Sequence, residues 1–262
     1  MTAEASKYEP LVAELLAMYP NPEERLRLRK THIRVGHLAH GWLMRVVRGV
    51  QASLILEDEG FEWEAAPLRR SCVEHVTGLA WLAEEGSDAA DSIIRLNAHQ
   101  AEKRLASVRD AEWTTVGEET FQEVIEDGEG TDRETLRLDN AWTFVNRNRK
   151  YGTPHYLPVW LTETAHSHPS WTSAMPYMEQ DEDGNVALLD EPVEAPIDAY
   201  SSATFVLVDG LAAMNLMLEG HPFTARLRTI IQRVRDIDTA VRRERGQDIP
   251  PEYSQPILPD LP

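Results

Sequence analysis

Apolar residues recur along most of this chain at steps of three and four, the period of one helix face. Leu38, Trp42, Val46, Val50 and Leu54 form the first such stripe, and Leu26 and Ile33 extend it backwards. Asn21 followed by Pro22, Glu23 and Glu24 supplies a cap, a proline at the first helical position and acids against the positive helix end. The pattern predicts a helix from there toward Gly60, bent or broken at Gly36 or Gly41. Pro67 opens a second helix, with Leu68, Cys72, Val76, Leu79 and Leu82 on one face and Gly86 as its stop. Ser87 caps a third, with Ile94, Ala98, Ala101, Leu105 and Val108 on its apolar side. The short link at Gly86 predicts that these two helices run antiparallel as neighbours.

The middle of the chain is less periodic. Residues 112–139 are acid-rich, with a short helix expected around residues 121–125 and a capping box in Thr131-Asp132-Arg133-Glu134 opening another. Thr153-Pro154 starts a helix that runs to about Ala165, bends at Pro158 and ends at His168-Pro169, because a proline disfavours helix in the residue before it. Asp183-Gly184 lies between two short extended runs and predicts a β-hairpin over residues 178–189. The most apolar segment, residues 203–220, is shorter than the ~20 residues of a membrane span and holds Asp209 and Asn215, so it reads as a buried helix. Thr224 caps the last helix, whose stripe of Leu227, Ile230, Ile231, Val234, Ile237 and Val241 ends at Gly246. These elements predict an all-α fold, a bundle of roughly six to eight helices with one small β-hairpin and an extended proline-rich C-terminal tail. The expected organisation is a single helical domain over residues 1–246, an acidic insertion with the hairpin at about 176–198, and the tail at 247–262.

A formal charge of −18, from 44 acidic against 26 basic residues, opposes binding to nucleic acid or to acidic lipid surfaces. One cysteine, Cys72, excludes an internal disulfide and a multi-cysteine zinc site, and it lies on an apolar helix face. The first ten residues have neither a basic start nor an apolar run, so no secretion signal is expected and the cytoplasm is the expected compartment. Arginine supplies 22 of the basic residues, as in chains from GC-rich bacterial genomes.

Two stretches could carry chemistry. Arg70 and Glu74 are four apart and share a helix face, so they can pair directly, whereas His75 points about 100° away from Glu74. Downstream, Thr164 shares a face with His168, and Glu163 with His166 is an i, i+3 pair. A histidine beside a carboxylate suits a general base, while His168 at a helix end could equally cap the carbonyls. Arg70-Ser71-x-x-Glu74 followed by the apolar "LAWL", together with Tyr156 and Thr164-x-x-x-His168-Pro169-Ser170, resembles the bacterial family known as domain of unknown function 5677, over roughly residues 65–175. The resemblance implies a helical bundle whose arginine, glutamate and histidine meet between helices, and it implies no established activity.

Three functions follow as expectations. The first is a helical module, dimeric, whose Arg70, Glu74, Tyr156 and His168 organise the bundle or bind a small molecule with Thr164 and His166. The second is a metal-independent endoribonuclease using Arg70 with His75 or His168, since arginine can stabilise a phosphorane while histidine moves protons. The spacing from Arg70 to His75, or from Arg149 to His155, carries little information in a chain with 22 arginines and nine histidines. The third is a helical-bundle metal-dependent oxidase in which Glu163 and His166 are ligands, joined by His37 and His40 or His99 and Glu102. That architecture needs the Glu-x-x-His spacing twice and the chain has it once. No cofactor is assigned by the residues themselves.

Overall fold

The computed structural model describes residues 6–20, 26–111, 118–180, 185–193, 198–244 and 247. Helix α1 (Glu9–Leu16) begins with a proline in its first turn and buries Leu11, Val12 and Leu15. Of the helix expected from residue 22, residues 26–29 are not helical, and the α-helix begins at Gly36. Leu28 is held in an extended bridge to Leu218, and a 3-10 segment (Lys30–Val35) turns the chain into α2 (Gly36–Asp58). A side chain at Gly36 would meet Leu28 Cδ1 at 2.0 Å, so the Leu28 side chain would have to move to admit one. The proposed cap at Asn21 and Pro22 lies outside the described residues.

Helix α3 (Ala66–Glu85) has Pro67 in its first turn and ends at Gly86, as the pattern predicts. Gly86 adopts φ +57°, and a Cβ there would sit 2.6 Å from the Thr31 carbonyl oxygen, which also accepts from the Ser87 amide. Helix α4 (Asp88–Asp110) follows without a side-chain bond from Ser87 to its first turn. It touches α3, but less extensively than it does the two elements that follow it in the chain. It packs against α5 (Glu118–Glu129) and a long 3-10 segment (Arg133–Trp142). Arg95 grips Asp139 through its Nε and NH2 groups, and Ser92 donates to Asp139 Oδ1 at 2.7 Å, which clamps α4 to that segment. The cap there is Asp132, which accepts from the Glu134 amide, while Thr131 donates back to the Gly128 carbonyl.

Three helices, α6 (Phe144–Tyr151), α7 (Tyr156–Ser167) and the short α8 (Trp171–Ala174), lead to the hairpin. Its strands β1 (Met178–Gln180) and β2 (Val186–Leu188) are antiparallel with Glu179 opposite Ala187. The turn at Asp183-Gly184 lies outside the described residues, as does the proline-rich tail apart from residue 247. The last two helices are α9 (Ala199–Met217) and α10 (Thr224–Glu244). The fold is all-α with one two-stranded hairpin, and the described residues hold ten α-helices. None of them is long and apolar enough to cross a membrane.

The apolar faces join in one cluster. Val35 from the 3-10 segment before α2, Leu43 and Val46 from α2, Leu79 and Leu82 from α3, Leu207 and Leu211 from α9, and Leu227 and Ile230 from α10 are among its most deeply buried members. Helix α3 packs against α2, α6, α7 and α9, so Arg69, Arg70, Glu74 and His75 lie beside neighbouring helices. Cys72 is a buried core residue whose thiol is pushed up to about 12, chiefly by burial.

Candidate functional site

Three polar assemblies surround α3. The first is the expected pair with two additions. Arg70 Nε donates to Glu74 Oε1 at 3.0 Å, and its NH1 group meets His168 Nε2 at 2.9 Å. A guanidinium has no acceptor, so His168 must offer its Nε2 lone pair and carry its proton on Nδ1. Trp160 of α7 donates its indole N–H to the same Glu74 oxygen at 2.7 Å, lies under the Arg70 guanidinium at 5.3 Å, and stacks on Phe144 at 4.6 Å. Chain segments almost a hundred residues apart are therefore joined through Arg70, Glu74, Trp160 and His168. The side chains of Arg70 and Glu74 remain 26% and 33% exposed, so this cluster lies at the margin of the bundle.

The second assembly is deeper and centres on the preceding residue. Arg69 holds Glu163 with both ends of its guanidinium, at 2.8 and 3.1 Å. Its NH1 group reaches Glu57 Oε1 and the Glu62 carbonyl, both at 2.8 Å. Burial alone would lower the Arg69 guanidinium, and the two carboxylates more than offset it, leaving it raised. Burial also raises the Glu57 carboxyl despite its contact with Arg69. Glu163 thus faces an arginine. His166, expected beside it as a ligand, packs on the Trp63 ring at 4.6 Å with its Nδ1 buried and unpartnered. Among the described residues, no three His, Cys, Asp or Glu side chains are grouped so as to hold a metal ion. His40 meets the Tyr19 hydroxyl, and His99 approaches Glu102 at 3.9 Å.

The third assembly is a cleft of about 200 Å³ on the other side of Glu74. It is bordered by Trp42 of α2, His75 and Trp81 of α3, Ile93 and Leu96 of α4, and Arg147 of α6. The His75 imidazole donates from Nδ1 to the Ser71 carbonyl at 2.7 Å, which leaves Nε2 as the basic nitrogen. Burial lowers the His75 pKa, opposed by the Ser71 bond and Glu74 and reinforced by Arg45 and Arg147, so the neutral ring is favoured. Gly78 makes room for the Trp42 ring, which a Cβ there would meet at 2.8 Å. Arg147 is half-buried, and its three bonds, at 3.2 to 3.4 Å, go to the Ala141 and Glu74 carbonyls and the Thr77 hydroxyl. Trp81 is fully buried, and its indole N–H has no partner.

The remaining expected residues are elsewhere. Tyr156 is buried at the opposite end of α7 from His168, about 18 Å along the helix axis. Its hydroxyl donates to Asp209 of α9 at 2.6 Å, and burial raises both groups. Thr164 donates back to the Trp160 carbonyl at 2.6 Å. Glu74 and His75 border the same cleft, although they leave the helix in different directions. Arg69, Trp160 and Arg147 were not anticipated. Arg69 had a signal, because it stands three, four and seven residues before the buried Cys72, Val73 and Val76.

No curated protein and no solved structure matches this chain. A family model described as a family of unknown function, DUF5677, matches residues 36–185. That stretch is longer than the 65–175 suggested by the short motifs, and it takes in α2 and reaches into the hairpin. It contains every residue of the three assemblies around α3. The chain belongs to the DUF5677 family of unknown function.

Proposed function

We propose that this protein is a small-molecule-binding helical bundle, in which the Arg70, Glu74, Trp160 and His168 cluster clasps α3 to α7 and the adjoining cleft receives the ligand. The observation that carries this reading is the open space of about 200 Å³ at His75 and Arg147, where a basic nitrogen, a cation and aromatic walls converge. The division of labour follows from the hydrogen bonds. His168 has its lone pair committed to Arg70, so it serves as a clasp, whereas His75 keeps Nε2 available. A thermal-shift screen of small polar and aromatic compounds tests the reading, with each hit repeated on Leu96→Phe, which narrows the cleft without touching its polar groups. Hits that vanish in the variant support the cleft. Hits unaffected by it, or no hits, would refute it.

A second reading, metal-independent RNA cleavage, draws support from His75 and Arg147 bordering one cleft, with Arg147 in the role first given to Arg70. The charge of −18 weighs against an RNA substrate. Incubation with single-stranded RNA in chelator decides it, since only cleavage lost in both His75→Gln and Arg147→Met would sustain this alternative.

A further inference from the structure

The charge around the cleft is unbalanced. Burial lowers the Arg147 guanidinium, opposed by the Glu74 carboxylate, yet among the described residues no carboxylate forms an ion pair with it. Its acceptors are two backbone carbonyls and a hydroxyl, and they leave guanidinium N–H groups uncommitted. The Glu74 carboxylate is already engaged by Arg70 and Trp160. Arg45 adds further positive charge near His75. A chain of net charge −18 thus presents to a cavity a half-buried cation that no carboxylate among the described residues contacts. A cation removed from water without a counter-ion is costly, and an anion entering the cleft would relieve that cost.

Size and lining narrow the choice. An apolar cavity of about 150 Å³ already admits benzene, so the cleft has room for one ring. Trp42, Ile93 and Leu96 supply apolar and aromatic wall, which a free inorganic anion would not use. The Arg147 NH1 and NH2 groups each keep one uncommitted N–H, enough for one carboxylate, whereas a phosphate dianion would bring a second negative charge beside Glu74. Trp81 adds a buried indole donor without a partner in the same wall.

We infer that the cleft takes a small organic acid of single-ring size, its carboxylate on the Arg147 guanidinium and its ring against Trp42, Ile93 and Leu96. The inference rests on the small-molecule reading above and specifies the chemistry of that ligand. His75 accepts a hydrogen bond from a hydroxyl or amine on the acid through Nε2.

Benzoate, its neutral isostere benzamide and inorganic phosphate are titrated into the full chain by calorimetry, with indole N–H resonances followed by NMR. Benzoate should bind saturably and move the Trp81 resonance, identified by its absence in Trp81→Phe. Benzamide should bind about tenfold or more weakly, the loss expected when a charged hydrogen-bond partner is made neutral. Arg147→Met should lose the preference for benzoate, and Arg147→Lys should keep part of it. Should Arg147→Met fail to fold, Leu96→Phe replaces it and should abolish benzoate binding with the charges intact. Equal binding of benzoate and benzamide, both lost in Leu96→Phe, overturns the acid while leaving the cleft as a binding site. Phosphate binding as tightly as benzoate overturns the ring. Absence of binding by all three, or binding indifferent to both Arg147→Met and Leu96→Phe, overturns this inference and the small-molecule reading together.

Discussion

Replacing Arg69 by methionine would keep most of its bulk and strand two carboxylates inside the protein. The Glu163 side chain is 4% exposed and that of Glu57 is 11% exposed, and both are answered by the one guanidinium. Four hydrogen bonds at 2.8 to 3.1 Å disappear together. Removing one partner of a buried ion pair costs about 3–5 kcal/mol, because the other charge is left uncompensated. Against a total stability of about 5–15 kcal/mol this is a large share, and for a chain of this size it corresponds to a loss of about 10 °C in Tm. Arg70→Met is the internal control. It lies one residue away but is partly exposed, and losing its i, i+4 pair, its bond to His168 and its contact with Trp160 should cost about 1–2 kcal/mol. Urea unfolding of both variants measures the two losses. The Arg69→Met deficit should shrink as pH falls, since unpaired buried carboxylates protonate readily, and Arg69→Met combined with Glu163→Leu should regain part of it. A loss for Arg69→Met no larger than for Arg70→Met, or a double variant no more stable than the single, would refute the assignment of Arg69 as the buried keystone.

Trp160→Phe should cost about 1–2 kcal/mol in the same assay, since it removes the bond to Glu74 while a ring remains to stack on Phe144. The His75 pKa is lowered in the folded state, so below its unfolded value of 6.5 the unfolded chain binds the extra proton first. Stability should therefore fall as pH drops through 6.5, by up to about 1.4 kcal/mol per pH unit, relative to His75→Gln, and a pH-independent difference between the two chains would contradict this. Cys72 should resist a thiol reagent in the native protein and react stoichiometrically once unfolded, given its burial and a thiol pushed up to about 12. Gly49→Ala should destabilise by about 1–3 kcal/mol, because the added methyl would sit 2.6 Å from Cys72 Sγ; a neutral result would show that α2 and α3 separate easily there.

Period and punctuation located most of the long helices. The stripes of α3, α9 and α10 are continuous enough that tertiary packing follows the pattern, and the hairpin was legible from Asp183-Gly184 between two short runs. Short elements were not. Helix α1 is eight residues long, and α6 buries only Phe144 and Asn148, too few positions to define a face. The start of α2 was misplaced because the local pattern cannot register the bridge from Leu28 to Leu218, 190 positions away in sequence. The same holds for the further partners of α4, which the short link at Gly86 does not announce: α5, and the 3-10 segment that Arg95 holds through Asp139. At the site, the meeting of Arg70, Glu74 and His168 was legible, and the participation of Trp160 was not. Adjacent arginines at 69 and 70 look alike in isolation, and only the distant Glu163 and Glu57 identify which one is enclosed. Arg147 belongs to the cleft solely through the way α6 crosses α3, a relation with no trace in spacing.

Helices α1, α9 and α10 lie beyond the limits of the family match, yet Leu11, Leu207, Leu211 and Leu227 from them are as deeply enclosed as the residues within it. A fragment cut to residues 36–185 would lay bare the greasy sides of α2 and α3 on which α9 rests, so it should aggregate where the whole chain stays dispersed. The stretch by which kinship is detected is narrower than the stretch that shares one apolar cluster, and mutagenesis or fragment work planned from the first will misjudge the second.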